Sequence, residues 1–206
     1  MDTTPKTSKT FLKQLEEMHP QQLLLIIGLI GILLLFVVLL FAYSYTIIVS
    51  KTTFSNYSFP KAFVFSLIII GLSSLILHSC FKAYQEEDLK KISKSLSITL
   101  FLGFCFLITQ FLGWKQLWES GIFFNGKAIG SYLYLLSGLH ALHLLGGMVF
   151  LLIFLWQVSE KEKDEVKKLV YITNPYELFK LRMLAFYWHT MGALWGILFF
   201  VFLFIF

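Results

Sequence analysis

Five long runs of apolar residues restrict what this chain can fold into. A helix needs about 20 consecutive apolar residues to cross the hydrocarbon core of a bilayer, and each run reaches that length. Only helices and closed β-barrels satisfy their backbone hydrogen bonds in lipid, and the alternating pattern of barrel strands does not occur here. The sequence therefore predicts an all-α integral membrane bundle of five transmembrane helices, at 23–49, 62–81, 96–118, 129–158 and 181–206.

Charged residues make up only 14% of the chain, well below the quarter that is usual in soluble domains. We therefore assign residues 23–206 to a single transmembrane domain. Residues 1–22 mix lysines with glutamates and place Phe11, Leu12, Leu15 and Met18 on one helical face. This segment is interpreted as an N-terminal cytoplasmic tail or an interfacial helix.

Basic residues are concentrated in alternate connections between the runs. The N-terminal segment carries three lysines, the second connection four and the fourth connection five, whereas the first and third connections hold only Lys51, Lys61, Lys115 and Lys127. The positive-inside rule then places the N-terminus inside and the C-terminus outside. The net charge of +5 is a topology signal, so no nucleic-acid partner is expected.

The acidic residues exclude several classes of function. All twelve carboxylates are expected in tails and loops, whereas ion-coupled transporters and proton pumps usually need a titratable carboxylate at membrane depth. A nucleotide-binding glycine loop, a CxxC pair and an HExxH motif are all missing. Cys80 and Cys105 lack a metal-binding spacing. A lipid-modifying enzyme or a small transporter is thus a weak alternative.

Polar and small residues form stripes along the last four runs, including Gly71, Ser74 and His78 in the second. Such stripes are typical of faces where helices contact each other, while the leucine-rich opposite faces suit lipid. The candidate contact residues on these stripes are Gln110, Ser137, His140, His143, Gly147, Arg182, His189, Gly192 and Gly196.

The histidines in these stripes allow two interpretations. His140 and His143 on one helix, with His189 on another, could ligate a b-type haem, which would make the chain a cytochrome membrane anchor. Alternatively, neutral imidazoles hydrogen-bond between helices or to lipid head groups, at low cost because their pKa is already near neutrality. No carboxylate is available to complete a metal site, and the packing interpretation is favoured.

Three motifs resemble subunit III of the haem–copper oxidases. "YLLSGLHALHLLGG" (134–147) is similar to the family's GxHxxHxxxG signature, which lies on the fourth helix in this sequence's numbering of runs. In the last run, "FYWHTMGALW" (186–195) resembles the family's YWHFxDxxW motif, matched at Tyr187, Trp188, His189 and Trp195. A Ser73–Ser74 pair after Pro60 and the segment "QFLGWKQLWESGI" (110–122) follow in the same order as in bacterial members. The resemblance covers residues 20–206, and the count of five helices is that of short bacterial forms.

This resemblance implies a subunit without its own haem or copper. Such a subunit packs beside catalytic subunit I, binds phospholipids between its helices and supports sustained turnover, while subunits I and II carry the haem and copper that reduce oxygen to water and pump protons. It also implies that the polar residues of the stripes, together with Trp195, contact lipid or neighbouring subunits. We therefore expect no catalytic residue and no metal ligand in this chain.

Two departures from the family pattern limit which residue roles the resemblance implies for this chain. The first run, "LIGILLLFVVLLFAYSYT", lacks the membrane-embedded glutamate that many members carry, and Gly192 replaces the aspartate of the YWHFxDxxW motif. Both favour a structural and lipid-organising role over proton transfer.

We predict an accessory subunit of a respiratory oxidase in a bacterial cytoplasmic membrane. Expected partners are subunits I and II, a small subunit IV, phospholipids and a supercomplex with a quinol-oxidising complex. Cytochrome c is favoured as the electron donor, and a quinol oxidase subunit III is the alternative, because subunit II decides the donor.

Overall fold

The computed structural model describes residues 20–50, 59–126 and 128–204. These residues contain six α-helices and no β-strand, which confirms the predicted all-α class. The helices are α1 (Pro20–Ser50), α2 (Lys61–Gln85), α3 (Leu89–Glu119), α4 (Ala128–Glu162), α5 (Glu165–Thr173) and α6 (Pro175–Leu203).

Five of these helices, all except α5, are long and apolar enough to cross a membrane. This confirms the five predicted spans, although the helices extend beyond them. Helix α3 has 31 residues, about 46 Å at 1.5 Å per residue, against a hydrocarbon core of about 30 Å. The additional residues of α3 are largely charged and polar, and they remain helical because backbone hydrogen bonding continues outside the hydrocarbon core.

The predicted tail at residues 1–22 is only partly described. Residues 1–19 lie outside the described residues, as do 205–206 at the end of the fifth predicted span. Residues 20–22 belong to the first turn of α1.

Side-chain caps set the starts of α3, α5 and α6. Asp88 accepts from the backbone N–H of Lys91 at the start of α3, and Asp164 accepts from that of Val166 at the start of α5. Asn174 caps α6 in the same way, and the following proline occupies the first helical position. The hydrogen bond from Lys91 and the charge of its ammonium group lower the pKa of Asp88.

Helix α5 was not predicted from the sequence. Its nine residues lie in the charged connection between the fourth and fifth predicted spans and are too few to cross a membrane. Its one fully buried side chain, Tyr171, faces the bundle, while Val166, Leu169 and Val170 are exposed.

The helices pack as an antiparallel hairpin, α2–α3, extended by α4 and closed by α6 against both α2 and α4. Helix α1 lies at the edge, against α4 and α6. It buries Leu29, Phe36 and Tyr43, which recur every seven residues on one face, and leaves most of its other apolar side chains exposed.

Aromatic side chains fill the centre of the bundle. Trp195 of α6 is fully buried, with its ring 5.2 to 5.7 Å from those of His140, Phe106 and Phe63. These four rings come from α6, α4, α3 and α2, so the four best-packed helices meet at Trp195.

Gly113 of α3 allows α2 to approach, because a Cβ there would lie 2.7 Å from Cδ1 of Phe63. We predict that Gly113→Ala lowers the free energy of unfolding in detergent by about 1–3 kcal/mol, since the Phe63 ring is held against Trp195 and has little freedom to move. Gly71→Ala is the matched control, because a Cβ at Gly71 meets nothing within 4 Å. Equal thermal midpoints for the two variants would contradict the prediction.

Candidate functional site: the polar interior of the bundle

Two indole–hydroxyl hydrogen bonds join α2 to α6. The Nε1–H of Trp188 donates to Ser73 Oγ, and the Nε1–H of Trp195 donates to Ser66 Oγ, each at 3.0 Å. The serines are seven residues apart, as are the tryptophans, so the two bonds lie two turns apart along antiparallel helices. All four residues are buried.

The hydroxyl of each serine also donates a hydrogen bond to a carbonyl of its own helix. Ser66 donates to the carbonyl of Phe63 and Ser73 to that of Ile70, both at 2.7 Å. The hydroxyl oxygen thus accepts from an indole while its hydrogen is satisfied locally, and no buried donor is left over at these positions.

A third bond of the same kind joins α3 to α4. Trp114 Nε1–H donates to Ser137 Oγ at 2.9 Å, and Ser137 donates to the carbonyl of Leu133 at 2.6 Å. Ser137, one of the sequence-predicted contact residues, therefore lies in a helix–helix contact.

His189 lies in the groove between α2 and α6. Its Nδ1 is 3.0 Å from Ser74 Oγ, and its ring centroid is 6.4 Å from that of His78, which is exposed. Gly192 gives Ser74 room, since a Cβ there would lie 3.4 Å from Ser74 Oγ. One turn on, a Cβ at Gly196 would just reach Leu67 of α2.

Nδ1 of His143 has a hydrogen-bond partner in its own helix, the carbonyl oxygen of Leu139 at 2.8 Å. The carbonyl of His143 accepts from the hydroxyl of Tyr187 at 2.8 Å. Gly147 makes room for that tyrosine, since a Cβ there would lie 2.7 Å from its Cε1. His143 and Gly147 thus lie on the α4–α6 contact.

His140 occupies the aromatic centre. Its ring is fully buried and stacks on Trp195 at 5.2 Å and 28°, with the Phe106 ring edge-on at 5.7 Å. Neither ring nitrogen has a hydrogen-bond partner among the described residues. Gln110, 1% exposed on α3, likewise has no partner there for either amide atom.

The predicted residues are therefore not one cluster. Gln110, Ser137, His140 and Trp195 face the interior, whereas His189, Gly192 and Gly196 line the α2–α6 contact. Arg182 lies apart from both groups: it is exposed and forms no ion pair with another described residue.

The part of the chain that the structure describes contains no group of three or more His, Cys, Asp or Glu side chains placed to hold a metal ion. His140 and His189 are engaged differently, one against Trp195 and the other with Ser74. The chemistry of the interior is thus hydrogen bonding and aromatic packing between helices.

Sequence reasoning missed an ionic cluster at the end of the bundle where α6 begins. Glu177 of α6 is 6% exposed, and its carboxylate lies 3.1 Å from Lys161 Nζ and 2.7 Å from Lys180 Nζ. The prediction that all carboxylates fall in tails and loops is corrected here, because α6 begins six residues before the predicted span. The Asn-Pro start of α6 was the available signal, since it places Glu177 in the first helical turn.

This cluster also holds α5. The ammonium of Lys161 lies 4.5 Å from the ring centroid of Tyr171. Burial, with a smaller contribution from the charge of Glu177, raises the pKa of Tyr171, so its phenol stays protonated. The cluster therefore connects α4, α5 and α6 through one carboxylate and one aromatic ring.

No protein-family model matches the chain. It is similar to curated proteins named cytochrome c oxidase subunit 3. The protein of Corynebacterium diphtheriae is 25% identical over 136 residues, 66% of this chain and 61% of its own length. The Synechocystis protein is 28% identical over 134 residues, which are 65% of this chain and 52% of that protein. The Spodoptera frugiperda protein is 27% identical over 146 residues, which are 71% of this chain and 88% of that protein. The match to the Corynebacterium protein thus covers about three fifths of its length.

The indole–serine bonds generate a mutational prediction. Ser73→Ala leaves the buried Trp188 N–H without an acceptor, and we expect a loss of about 0.5–2 kcal/mol in the free energy of unfolding. Ser97→Ala is the control, because Ser97 is exposed on α3 and its hydroxyl donates to the carbonyl of Ser93 in the same helix. Thermal unfolding of the purified protein in detergent compares them, and an equal shift in both variants would show that the bond contributes nothing.

Proposed function

We infer that this homologue of cytochrome c oxidase subunit 3 is an accessory, non-redox subunit of a respiratory haem–copper oxidase. The observation that carries the inference is the similarity to proteins of that name from two bacteria and an insect. The oxidase reduces oxygen to water and pumps protons through its other subunits, and this chain stabilises them and organises lipid.

The environment of the histidines supports a non-redox role. Phe106 and Trp195 pack against the faces and edges of His140, in the volume that a haem macrocycle would have to occupy. His143 and His189 each have a partner for Nδ1 within the bundle. We assign Gln110, Ser137, His140, His143, Gly147 and Trp195 to contacts between helices.

The outer surface supports contacts with lipid and with other subunits. His189, Gly192 and Gly196 line the α2–α6 groove, and Arg182 is exposed near its inner end. Helix α1 exposes large apolar side chains around most of its circumference. We propose that these surfaces meet phospholipid, subunits I and II and a small subunit IV, and that the oxidase joins a supercomplex with a quinol-oxidising complex.

Affinity purification of the tagged chain in mild detergent tests the assembly. Mass spectrometry of the eluate is expected to identify a haem-bearing subunit I and a copper-bearing subunit II at near-equal amounts. The eluate should consume oxygen with reduced cytochrome c, and a preference for quinol would reassign it to a quinol oxidase. A monodisperse chain without such partners would contradict the proposal.

Histidine variants distinguish the accessory subunit from a b-type cytochrome anchor. His140→Leu, His143→Leu and His189→Leu are expected to leave the Soret absorbance per subunit I unchanged, because the haems belong to subunit I. The chain purified alone should show no Soret band. Loss of one haem per complex in any of these variants would favour the cytochrome anchor instead.

Cysteine labelling tests the proposed orientation, with the N-terminus inside. Glu87→Cys lies in the turn between α2 and α3, and Asn125→Cys lies between α3 and α4; both positions are exposed. We expect a membrane-impermeant maleimide added to intact cells to label only Asn125→Cys. The unaltered chain, whose Cys80 and Cys105 lie within α2 and α3, gives the background, and the reverse pattern would invert the topology.

A further inference from the structure

We propose that the interior of the bundle binds one or two water molecules between Gln110 of α3 and His140 of α4. Both side chains are buried, at 1% and 0% exposure, and neither has a hydrogen-bond partner for any of its polar side-chain atoms among the described residues. They are on neighbouring helices that pack along most of their length.

The register of α3 and α4 brings the two side chains to one level. On one side of Gln110, Trp114 bonds Ser137 at 2.9 Å; on the other, a Cβ at Gly103 would lie 3.1 Å from Met148 Sδ. Moving four residues from Trp114 to Gln110 along α3 corresponds, on the antiparallel α4, to moving from Ser137 to Ala141, the neighbour of His140.

The Phe106 ring supports this placement. Phe106 lies one helical turn from Gln110 on the same face of α3, and its ring centroid is 5.7 Å from that of His140. Buried positions of α3 recur at Phe106, Gln110 and Gly113, which fixes the direction in which the amide points.

A direct bond between the two side chains would leave polar atoms unpaired. A glutamine amide has two donor hydrogens and an acceptor oxygen, and a neutral imidazole has one donor and one acceptor. One bond between them uses a single donor and a single acceptor, so one imidazole nitrogen and one amide atom remain. Buried polar atoms in native proteins are almost always hydrogen-bonded, to protein or to ordered water.

The surrounding side chains cannot supply the missing partners. Phe36 and Phe106 offer only ring edges and faces, and the N–H of Trp195 already donates to Ser66. Among the described residues, no backbone group is hydrogen-bonded to the polar side-chain atoms of Gln110 or His140. Water fits the site because it donates and accepts twice, whereas one imidazole and one amide are too few ligands for a metal ion.

A high-resolution map of the purified complex is the first test. We expect density for a water within about 3.2 Å of both a Gln110 amide atom and a His140 ring nitrogen. The proposal is overturned if the map shows no such density, or if all four polar atoms are bonded to protein groups.

Infrared difference spectra of the complex in H₂¹⁶O and H₂¹⁸O are the second test, because the isotope shifts the O–H stretches of water and leaves the O–H and N–H stretches of protein groups unchanged. Gln110→Met and His140→Phe keep the approximate shape of each side chain and remove its polar atoms. We expect each variant to lose an isotope-sensitive band that the native complex shows. His143→Phe is the matched control, since Nδ1 of His143 is already bonded to Leu139.

Retention of the band in both Gln110→Met and His140→Phe would overturn the proposal. The thermal midpoint of the double variant adds an independent readout. Either substitution alone already removes one of the two side chains that bind the water. The thermal midpoint of the double variant should therefore fall by less than the sum of the two single decreases, and strictly additive decreases would count against a shared site.

Discussion

The cost of an unpaired polar group in lipid governs this structure. Hydrocarbon offers no partner to a buried N–H, so each tryptophan that packs in the interior needs an acceptor from another helix. Trp188 and Trp195 find theirs in Ser73 and Ser66, and Trp114 finds Ser137. These bonds fix the rotation and the axial position of α6 against α2 and of α4 against α3. Two further hydrogen bonds add to this register, from the Tyr187 hydroxyl to the His143 carbonyl and between His189 and Ser74.

The five spans follow from residue type and length alone, and periodicity predicts the buried face of α4 at Ser137, His140 and Gly147. On α6 the predicted stripe lies at the edge of the buried face: Arg182 is exposed and His189 is half-buried, while Trp188 and Trp195 are fully buried. The two histidines of α4 show a second limit of periodicity. They are three residues apart, about 60° around the helix, and this angle turns His140 into the aromatic centre while His143 bonds its own backbone at Leu139. Helix α5 and the buried Glu177 were missed because both lie in the charged connection between two predicted spans, which has no apolar run long enough to cross a membrane.

The aromatic centre also bears on the choice between packing and ligation. A haem ligand must present a ring nitrogen to a space as wide as the macrocycle. His140 instead stacks on Trp195, and both rings contact Phe106 edge-on. Rearranging this centre would break the Trp195–Ser66 bond that joins α6 to α2. Haem ligation at His140 would therefore remove one of the interactions that holds the bundle together.

The polar contacts between helices lie at several depths of the bundle. Trp195–Ser66 and Trp188–Ser73 hold α2 and α6 within the membrane, and the Glu177 carboxylate holds α4 to α6, through Lys161, at the end of the bundle where α6 begins. Two helices fixed at separated points cannot slide or rotate independently, so their outer faces keep a constant shape. Helix α1 joins this body differently: it buries Leu29, Phe36 and Tyr43, one residue in seven, and its Gln21 accepts from the Tyr176 hydroxyl of α6 at 2.6 Å. Because its buried face is narrow, the position of α1 depends mainly on apolar packing at the edge of the other four long helices.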